Sequence, residues 1–172
     1  MKQRMSALKF ALENEHKEHE FYMDNARRTK NLAGKNMFKQ LANEEKEHYE
    51  ILRKLHDSWE KQNKWPATVP LKVKKSLVGS ILKSMEGKKS ARMKGDEDDL
   101  KAIRTAIDFE ARGVDLYTKL EKASTDPKEK AFFNLIASIE RAHFLSLRET
   151  EEFLLDPVSW YQNAEKSTLD GA

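Results

Sequence analysis

Two short motifs of glutamate and histidine indicate a metal site in this chain. Each has the form Glu-x-x-His, and residues three apart lie on one face of a helix, so both side chains of a motif point the same way. Another glutamate stands 30 residues before the glutamate of each motif. Carboxylate oxygens combined with imidazole nitrogens suit iron or manganese. The sequence therefore predicts a centre of two metal ions with six ligands: Glu15, Glu45, His48, Glu110, Glu140 and His143.

All six residues fall on apolar faces of helical segments. Glu45 and His48, for example, are flanked at helical spacing by Leu41 and Leu52. A carboxylate that faces a core is costly unless it is paired or bound to a cation, and four of them at one level repel one another. A highly charged cation is therefore the partner that this arrangement favours. The alternative is a solvated charged face on two of the helices.

The motifs belong to an internal repeat with a constant offset of 95 residues. The first part of the repeat pairs Ala11, Glu15 and Tyr22 with Ala106, Glu110 and Tyr117. The second part pairs Phe38, Ala42, Glu45 and His48 with Phe133, Ala137, Glu140 and His143. No gap is needed between them. Such a repeat predicts a pseudo-twofold bundle of two related hairpins.

Other histidines show how specific the pattern is. Glu13-x-x-His16 has the same spacing but lies away from the apolar face, so we interpret it as a chance match. His19 lies on the apolar face four residues after Glu15. It is either a seventh ligand or a histidine with a satisfied hydrogen bond or partial exposure, and we expect the second case. We predict that His16 and His56 lie at the surface.

Two tyrosines of the repeat lie two helical turns beyond predicted ligands. Tyr22 follows Glu15, and Tyr117 follows Glu110. Their hydroxyls either hydrogen-bond a ligand carboxylate across the bundle or belong to packed core aromatics with satisfied hydroxyls. The sequence leaves both alternatives open.

Four amphipathic segments with a period of 3.6 residues position these side chains. They are predicted at Lys2–Lys30, Asn36–Gln62, Asp98–Ala123 and Pro127–Leu155. Gly34 is assigned to the first short connection. Asp96 precedes the third helix, and Asp126 caps the fourth, which begins with Pro127.

The lengths of the connections predict the topology. Short links make each pair of segments an antiparallel hairpin, whereas the stretch between the pairs is long enough to return the chain to the other end of a bundle. This predicts an all-α fold, a ferritin-like four-helix bundle of two antiparallel hairpins with a long crossover connection. We expect one domain over residues 1–172, with hairpins at 2–62 and 97–155, a crossover at 63–96 and a C-terminal tail at 156–172.

The crossover and the tail carry weaker patterns. Leu71–Lys94 is rich in basic residues, with Glu86 its single acid. Its apolar residues can make one stripe, consisting of Leu71, Leu77, Val78, Ile81, Leu82 and Met85. We expect the stripe to cover the bundle, and binding to an anionic membrane or an acidic partner is the alternative. Trp160 and Tyr161 are expected to fold back onto the bundle, and Lys166–Ala172 to be a frayed end.

The composition excludes several classes of protein. The 172 residues contain no cysteine, which excludes disulfides, thiolate nucleophiles, zinc fingers and iron–sulfur clusters within them. The net charge of +3 is too small to argue for nucleic acid. No apolar run is long enough for a signal peptide or a membrane span, so we expect a cytoplasmic protein.

The sequence resembles the rubrerythrin branch of the ferritin-like diiron-carboxylate family. The resemblance is carried by Ala11-Leu-Glu-Asn-Glu15, Glu20-Phe-Tyr22, Glu44-Glu-Lys-Glu-His48, Phe109-Glu110, Leu116-Tyr117 and Ile139-Glu-Arg-Ala-His143. It implies a non-haem diiron centre on the six predicted ligands, reaction with peroxide or oxygen, and often a homodimer. Two iron ions per chain are expected, with manganese or a mixed pair as alternatives.

The chain departs from the family pattern in two ways. Rubrerythrins proper carry a cysteine-ligated rubredoxin iron, which this chain cannot form, so an external electron-donor protein is expected. The family also places a glutamate three residues after the third-helix ligand, where this chain has Gly113. The pseudo-symmetric residue on the first helix is Glu18, which we consider a candidate additional ligand.

Three functions follow from these features. The first is a redox enzyme that reduces hydrogen peroxide or dioxygen with electrons from the external donor. The second is ferroxidase activity with iron storage or delivery, which uses the same six residues. The third is a non-catalytic interaction bundle, which failure to bind metal would favour.

Overall fold

The computed structural model describes residues 2–62, 77–84 and 94–169, which form six α-helices and a 3₁₀ turn at Val78–Ser80, with no strand. The helices are α1 (Lys2–Arg28), α2 (Leu32–Gln62), α3 (Ile81–Ser84), α4 (Glu97–Ala123), α5 (Pro127–Leu155) and α6 (Pro157–Leu169). The four long helices pack as two hairpins, α1 with α2 and α4 with α5. This confirms the predicted all-α fold, a ferritin-like helical bundle. None of the described helices has the length and apolar character needed to span a membrane.

The ends of the helices explain why the connection between the hairpins is long. Gly95, just before α4, donates its backbone N–H to the carbonyl of Leu154 near the end of α5. Gly34, in the first turn of α2, lies beside the same leucine, because a Cβ at Gly34 would be 3.9 Å from Leu154 Cδ1. The starts of α2 and α4 therefore lie at one end of the bundle. The chain leaves α2 at the other end and must return along the bundle to begin α4.

The second helix begins earlier than its apolar pattern predicts. Asn31 Oδ1 accepts hydrogen bonds from the backbone N–H groups of Ala33 and Gly34, at 2.9 and 3.2 Å. An asparagine that satisfies these otherwise unpaired donors starts a helix at the next residue. Thus α2 begins at Leu32 rather than at Asn36. The prediction that Gly34 lies in the connection is wrong, since it belongs to the first turn of the helix.

The helix starts predicted for the second hairpin are confirmed. The Asp96 side chain accepts a hydrogen bond from the N–H of Asp99 at the start of α4. Asp126 accepts hydrogen bonds from two N–H groups in the first turn of α5, whose first residue is Pro127. These caps satisfy donors that a helix cannot pair internally, and so they set where α4 and α5 begin.

The interior of the bundle has two apolar cores with a polar layer between them. The core near the start of α2 includes Phe38, Leu41, Ile103, Leu147 and Phe153. The core near the end of α2 includes Leu52, Leu55, Tyr117, Phe132 and Ile136. On every long helix, the charged residues of the predicted site lie in sequence between residues of one core and residues of the other. The polar layer is therefore placed at the middle of the bundle.

The described part of the crossover packs on the bundle. Val78 and Leu82 are buried, which confirms that the apolar stripe covers the bundle at these positions. The prediction is wrong for Leu77, whose side chain is exposed because its backbone, rather than its side chain, faces the bundle. Leu71 and Met85, also assigned to the stripe, lie outside the described residues.

The last helix returns the chain to the bundle. The rings of Trp160 and Tyr161 contact that of Phe153 at centroid distances of 5.6 and 5.8 Å, which confirms the predicted fold-back. Helix α6 continues to Leu169. The prediction of a frayed end from Lys166 is therefore wrong over the helical part, because the backbone continues the helix that Pro157 begins. The final three residues lie outside the described ranges.

Candidate metal centre

One glutamate from each long helix reaches the polar layer. The four are Glu15 on α1, Glu45 on α2, Glu110 on α4 and Glu140 on α5, and all are fully buried. His48 and His143 follow one turn later on α2 and α5 and are also buried. The structure thus brings together all six residues that the sequence analysis selected. Since the apolar cores lie on both sides, the layer is screened from bulk water.

The six side chains form two overlapping groups of potential metal ligands. Within each group, one ligand atom from every residue lies within 4.8 Å of the others. One group is Glu15, Glu45, His48 and Glu140, and the other is Glu45, Glu110, Glu140 and His143. Glu45 and Glu140 belong to both. A carboxylate has two oxygens, so these two residues are placed to bridge a pair of ions.

Several buried atoms of this layer lack hydrogen-bond partners. Both carboxylate oxygens of Glu140 and Oε2 of Glu110 accept no hydrogen bond, although His48 Nδ1 lies 3.4 Å from Glu140 Oε1 and His143 Nδ1 lies 3.5 Å from Glu110 Oε2. A buried carboxylate without a partner is strongly destabilising. A divalent cation satisfies several such oxygens at once, and iron and manganese accept a mixed set of carboxylates and imidazoles. The residues present therefore fit a pair of these ions.

Burial sets the protonation of the layer. Burial is the largest cause of the raised pKa of Glu15, which is about 8. Repulsion from Glu140 and Glu45 also raises this pKa, whereas His48 lowers it. Burial and the same repulsion raise the pKa of Glu140. Burial acts in this direction on Glu45 too, but the proximity of His48 and His143 holds its pKa below the ordinary value. Protons thus stabilise the metal-free layer, and a bound cation would replace them.

Both histidines turn Nδ1 towards the carboxylates. His48 Nδ1 lies 2.9 Å from Glu45 Oε2 and 3.3 Å from Glu15 Oε2. His143 Nδ1 lies 3.0 Å from Glu45 Oε1 and 3.5 Å from Glu110 Oε2. The two rings stack with centroids 5.8 Å apart. Nδ1 is therefore the atom that each histidine would offer to a metal.

Two buried tyrosines connect the hairpins through these carboxylates. Tyr22 on α1 donates its hydroxyl to Glu110 Oε1 on α4 at 2.6 Å. Tyr117 on α4 donates its hydroxyl to Glu15 Oε1 on α1. Burial, reinforced by the nearby carboxylates, raises the pKa of both tyrosines, so the hydroxyls remain protonated donors. Each tyrosine occupies one oxygen of its glutamate and leaves Oε2 facing the layer.

The sequence analysis missed one carboxylate that contacts the centre. Glu44 Oε2 accepts a hydrogen bond from His143 Nε2 at 2.7 Å. Its Oε1 accepts from Gln40 Nε2 at 2.7 Å and from the backbone N–H of Leu77 at 2.9 Å. Burial opposes ionisation, but these hydrogen bonds and the charge of His143 lower the pKa of Glu44 to about 2. The available signal was the double glutamate, in which Glu44 precedes the motif residue Glu45.

Glu18 lies at the edge of the layer. Its side chain is buried, Asn14 Nδ2 donates to its Oε1 at 2.9 Å, and its Oε2 has no hydrogen-bond partner. Burial and the charges of Glu110 and neighbouring carboxylates raise its pKa. It belongs to neither four-residue group. At the corresponding position, a Cβ on Gly113 would lie 2.8 Å from Glu140 Oε2, so the missing side chain makes room for Glu140.

The histidines of α1 lie outside the centre. His19 Nδ1 is 2.6 Å from the carbonyl oxygen of Ala42, which is the satisfied hydrogen bond that we expected. His16 is 58% exposed and lies 3.6 Å from Glu20, as expected for a chance Glu-x-x-His motif on an outer face.

A third group of potential ligands lies at the surface near the end of α2. It consists of His56, Asp57 and Glu60, and both acids are exposed. His56 was predicted to lie at the surface, but its side chain is only 19% exposed and is therefore largely covered. It is partly covered because it follows the buried Leu55 at the margin of the apolar stripe. Exposed acidic groups of this kind are common without a metal.

Comparison with known proteins identifies one family. The model of the rubrerythrin family matches residues 6–151, which cover most of both hairpins and all six residues of the two ligand groups. No curated protein and no solved structure gives a significant match to the chain.

Proposed function

Because the chain belongs to the rubrerythrin family, we propose that it is a non-haem diiron enzyme that reduces hydrogen peroxide or dioxygen. The family assignment supports a diiron-carboxylate protein. The oxidant, the source of electrons and the count of two ions per chain are parts of the proposal. The observation that carries it is the pair of overlapping ligand groups, which share Glu45 and Glu140.

The two groups suggest how the ligands divide between the ions. Glu45 and Glu140 would bridge, because each is a member of both groups. The other four ligands separate, with Glu15 and His48 at one position and Glu110 and His143 at the other. The apolar cores on both sides would keep bulk water away from the oxidant-binding space.

When bound by these residues, a pair of ferrous ions would supply the two electrons needed to convert one hydrogen peroxide molecule and two protons into two water molecules. The chain orients the ligands for this chemistry. The Tyr22 hydroxyl donates a hydrogen bond to Glu110 Oε1, and the Tyr117 hydroxyl donates one to Glu15 Oε1. The Oε2 atoms would consequently be the ones available to hold the ions, and the hydroxyls restrict rotation of both carboxylates.

Electrons must return to the centre after each turnover. The 172 residues contain no cysteine, so no thiolate-ligated iron within them can pass electrons on. We propose a separate donor protein outside these residues.

Glu18 is the additional carboxylate that we assign to the centre. Asn14 donates a hydrogen bond to Glu18 Oε1, and Glu18 Oε2 has no hydrogen-bond partner. After burial, the charge of Glu110 is the next cause that raises the pKa of Glu18. Gly113, at the corresponding place in the other hairpin, has no side chain to supply a ligand. A carboxylate from α1 would therefore take the role that the family gives to a residue on α4.

Metal content and redox behaviour of the full chain test the proposal. After anaerobic loading with ferrous iron and desalting, elemental mass spectrometry should find about two iron ions per chain. Hydrogen peroxide should oxidise them faster than dissolved dioxygen does. Glu140→Gln should lose most of the iron, because a bridging oxygen is replaced by an amide. The matched control is Glu13→Gln, on the exposed face of α1, which should bind iron like the wild type.

The outcomes separate the alternatives. Absence of stoichiometric iron, or equal loss in Glu13→Gln, would exclude the dimetal centre and favour a non-catalytic bundle. Faster oxidation by dioxygen, with iron accumulating far beyond the two sites, would favour ferroxidase and storage. Glu18→Gln should weaken iron binding, whereas Glu20→Gln on the same helix should not. A Glu18→Gln chain with wild-type affinity would remove Glu18 from the ligand set.

A further inference from the structure

The two histidines of the centre differ in what contacts their outer nitrogen. His143 Nε2 donates to the carboxylate of Glu44 at 2.7 Å. In the other hairpin the residue that corresponds to Glu44, 95 positions later, is Ile139, a buried side chain that cannot accept a hydrogen bond. Within the part of the chain that the structure describes, the ion pairs of His48 all involve Nδ1, and no carboxylate pairs with its Nε2. The repeat therefore includes the ligands but not the residue that contacts the outer nitrogen of the histidine.

Glu44 is itself held from two directions. Its Oε1 accepts from Gln40, one turn earlier on α2, and from the backbone N–H of Leu77 in the crossover. The residue that corresponds to Gln40 in the second hairpin is Leu135, which cannot donate. Leu77 leads directly into the turn that buries Val78 against the bundle. The orientation of Glu44 thus depends in part on the crossover, which lies outside both hairpins.

Such a carboxylate changes how an imidazole binds metal. By accepting the Nε2 proton it fixes the tautomer in which Nδ1 carries the lone pair, and it makes Nδ1 a stronger ligand. His143 Nδ1 is already directed at the carboxylates of the layer. His48 has the same orientation of Nδ1, but none of the described carboxylates pairs with its Nε2. Loss of a supporting group of this kind usually weakens metal binding by about 10- to 100-fold.

We propose that Glu44 is a positioning residue that makes the two metal positions unequal, so that the position held by His143 fills first and binds its ion more tightly than the position held by His48. This inference rests on the proposed function, since it requires that both positions bind metal. It adds an order of binding, and it gives the crossover a role through the N–H of Leu77.

Titration of the metal-free full chain with cobalt(II) tests the order, because visible absorption and calorimetry both follow the binding of this ion. The wild type should bind two ions in two resolved steps that differ by at least about tenfold in affinity. Glu44→Gln should weaken the tighter step by about 10- to 100-fold and leave the other nearly unchanged. Glu50→Gln, at an exposed glutamate of the same helix, is the matched control and should preserve both steps.

Histidine variants assign the steps and do not depend on whether Glu44→Gln folds. His48→Ala should keep the tighter step, and His143→Ala should lose it. Circular dichroism confirms that each variant retains its helices. Two equivalent ions in the wild type would overturn this inference alone, as would an equal loss at both steps or no loss in a folded Glu44→Gln. Absence of any bound metal in the wild type would overturn the proposed function together with it.

Discussion

The two hairpins contribute the same set of ligands but surround them differently. The first contributes Glu15, Glu45 and His48, and the second contributes Glu110, Glu140 and His143, all buried and all related by 95 positions. Residues adjacent to these ligands do not repeat. The first hairpin has Asn14, Glu18, Gln40 and Glu44, where the second has Phe109, Gly113, Leu135 and Ile139. The supporting residues are thus polar in one hairpin and apolar or absent in the other.

This difference is the basis for our proposal that symmetric candidate ligands make two unequal metal positions. On the second hairpin, Phe109 packs edge-on against Phe21 with centroids 4.9 Å apart, and Arg112 lies over its ring. Apolar packing of this kind limits access of water but supplies no hydrogen bonds to the ligands. On the first hairpin, Glu44 and Asn14 do supply them, to His143 and Glu18. Under the proposed function, the ligand layer would set which metals fit, and the surrounding residues would set how the two positions differ.

The largest effect is expected at Gly113, where the absence of a side chain leaves room for Glu140. Gly113→Ala places a Cβ 2.8 Å from Glu140 Oε2, so Glu140 must move away from the centre. We expect a loss of bound iron and a decrease of about 1–3 kcal/mol in the free energy of unfolding, the usual effect of overpacking. Urea denaturation and elemental analysis measure the two quantities.

The same substitution in a Glu140→Ala chain tests whether contact with Glu140 causes the loss of stability. When Glu140→Ala has removed the obstructing carboxylate, Gly113→Ala should instead stabilise the chain by up to about 1 kcal/mol, the ordinary gain for alanine over glycine in a helix. An equal destabilisation in both backgrounds would show that contact with Glu140 is not responsible.

Removing the hydroxyl of either tyrosine should lower the free energy of unfolding by a similar, intermediate amount. Tyr22→Phe and Tyr117→Phe each remove a hydrogen bond to a buried ligand carboxylate, so each should lower the free energy of unfolding by about 1–2 kcal/mol. Thermal denaturation of both variants measures the effect. Tyr49→Phe, beside the exposed His16, is the control and should change little. A large effect in only one of the pair would mean that the asymmetry of the hairpins extends to the ligand layer.

The smallest effect is expected at the crossover. Leu77→Pro removes the N–H that Glu44 Oε1 accepts, while the exposed leucine side chain contributes little packing. One hydrogen bond is worth about 1 kcal/mol, so the tighter cobalt step should weaken by about fivefold. Leu77→Ala keeps the N–H and should retain wild-type affinity. Equal losses in both variants would assign the effect to the side chain and remove the crossover from the metal centre.

Sequence reasoning located the candidate ligands because they are exceptions to a strong pattern. A charged residue on an apolar stripe is conspicuous, and Glu45 and Glu140 each occur in such a stripe with a histidine one turn later. The start of α2 was misplaced because the cap at Asn31 precedes the apolar residues that reveal the period. Glu44 was overlooked because a glutamate beside a ligand is indistinguishable, by periodicity, from a solvated one.

The sequence by itself determined that four long helices form, which face of each is buried, and which charged residues lie on those faces. Only the tertiary structure decided which of these side chains meet. Tyr22 and Glu110 are 88 positions apart, and His143 and Glu44 are 99 apart, yet both pairs are hydrogen-bonded. The physical reason is that periodicity specifies the buried face of each helix separately. The rotation and axial register of one hairpin against the other follow from close packing of the two apolar cores, and no single segment contains that information.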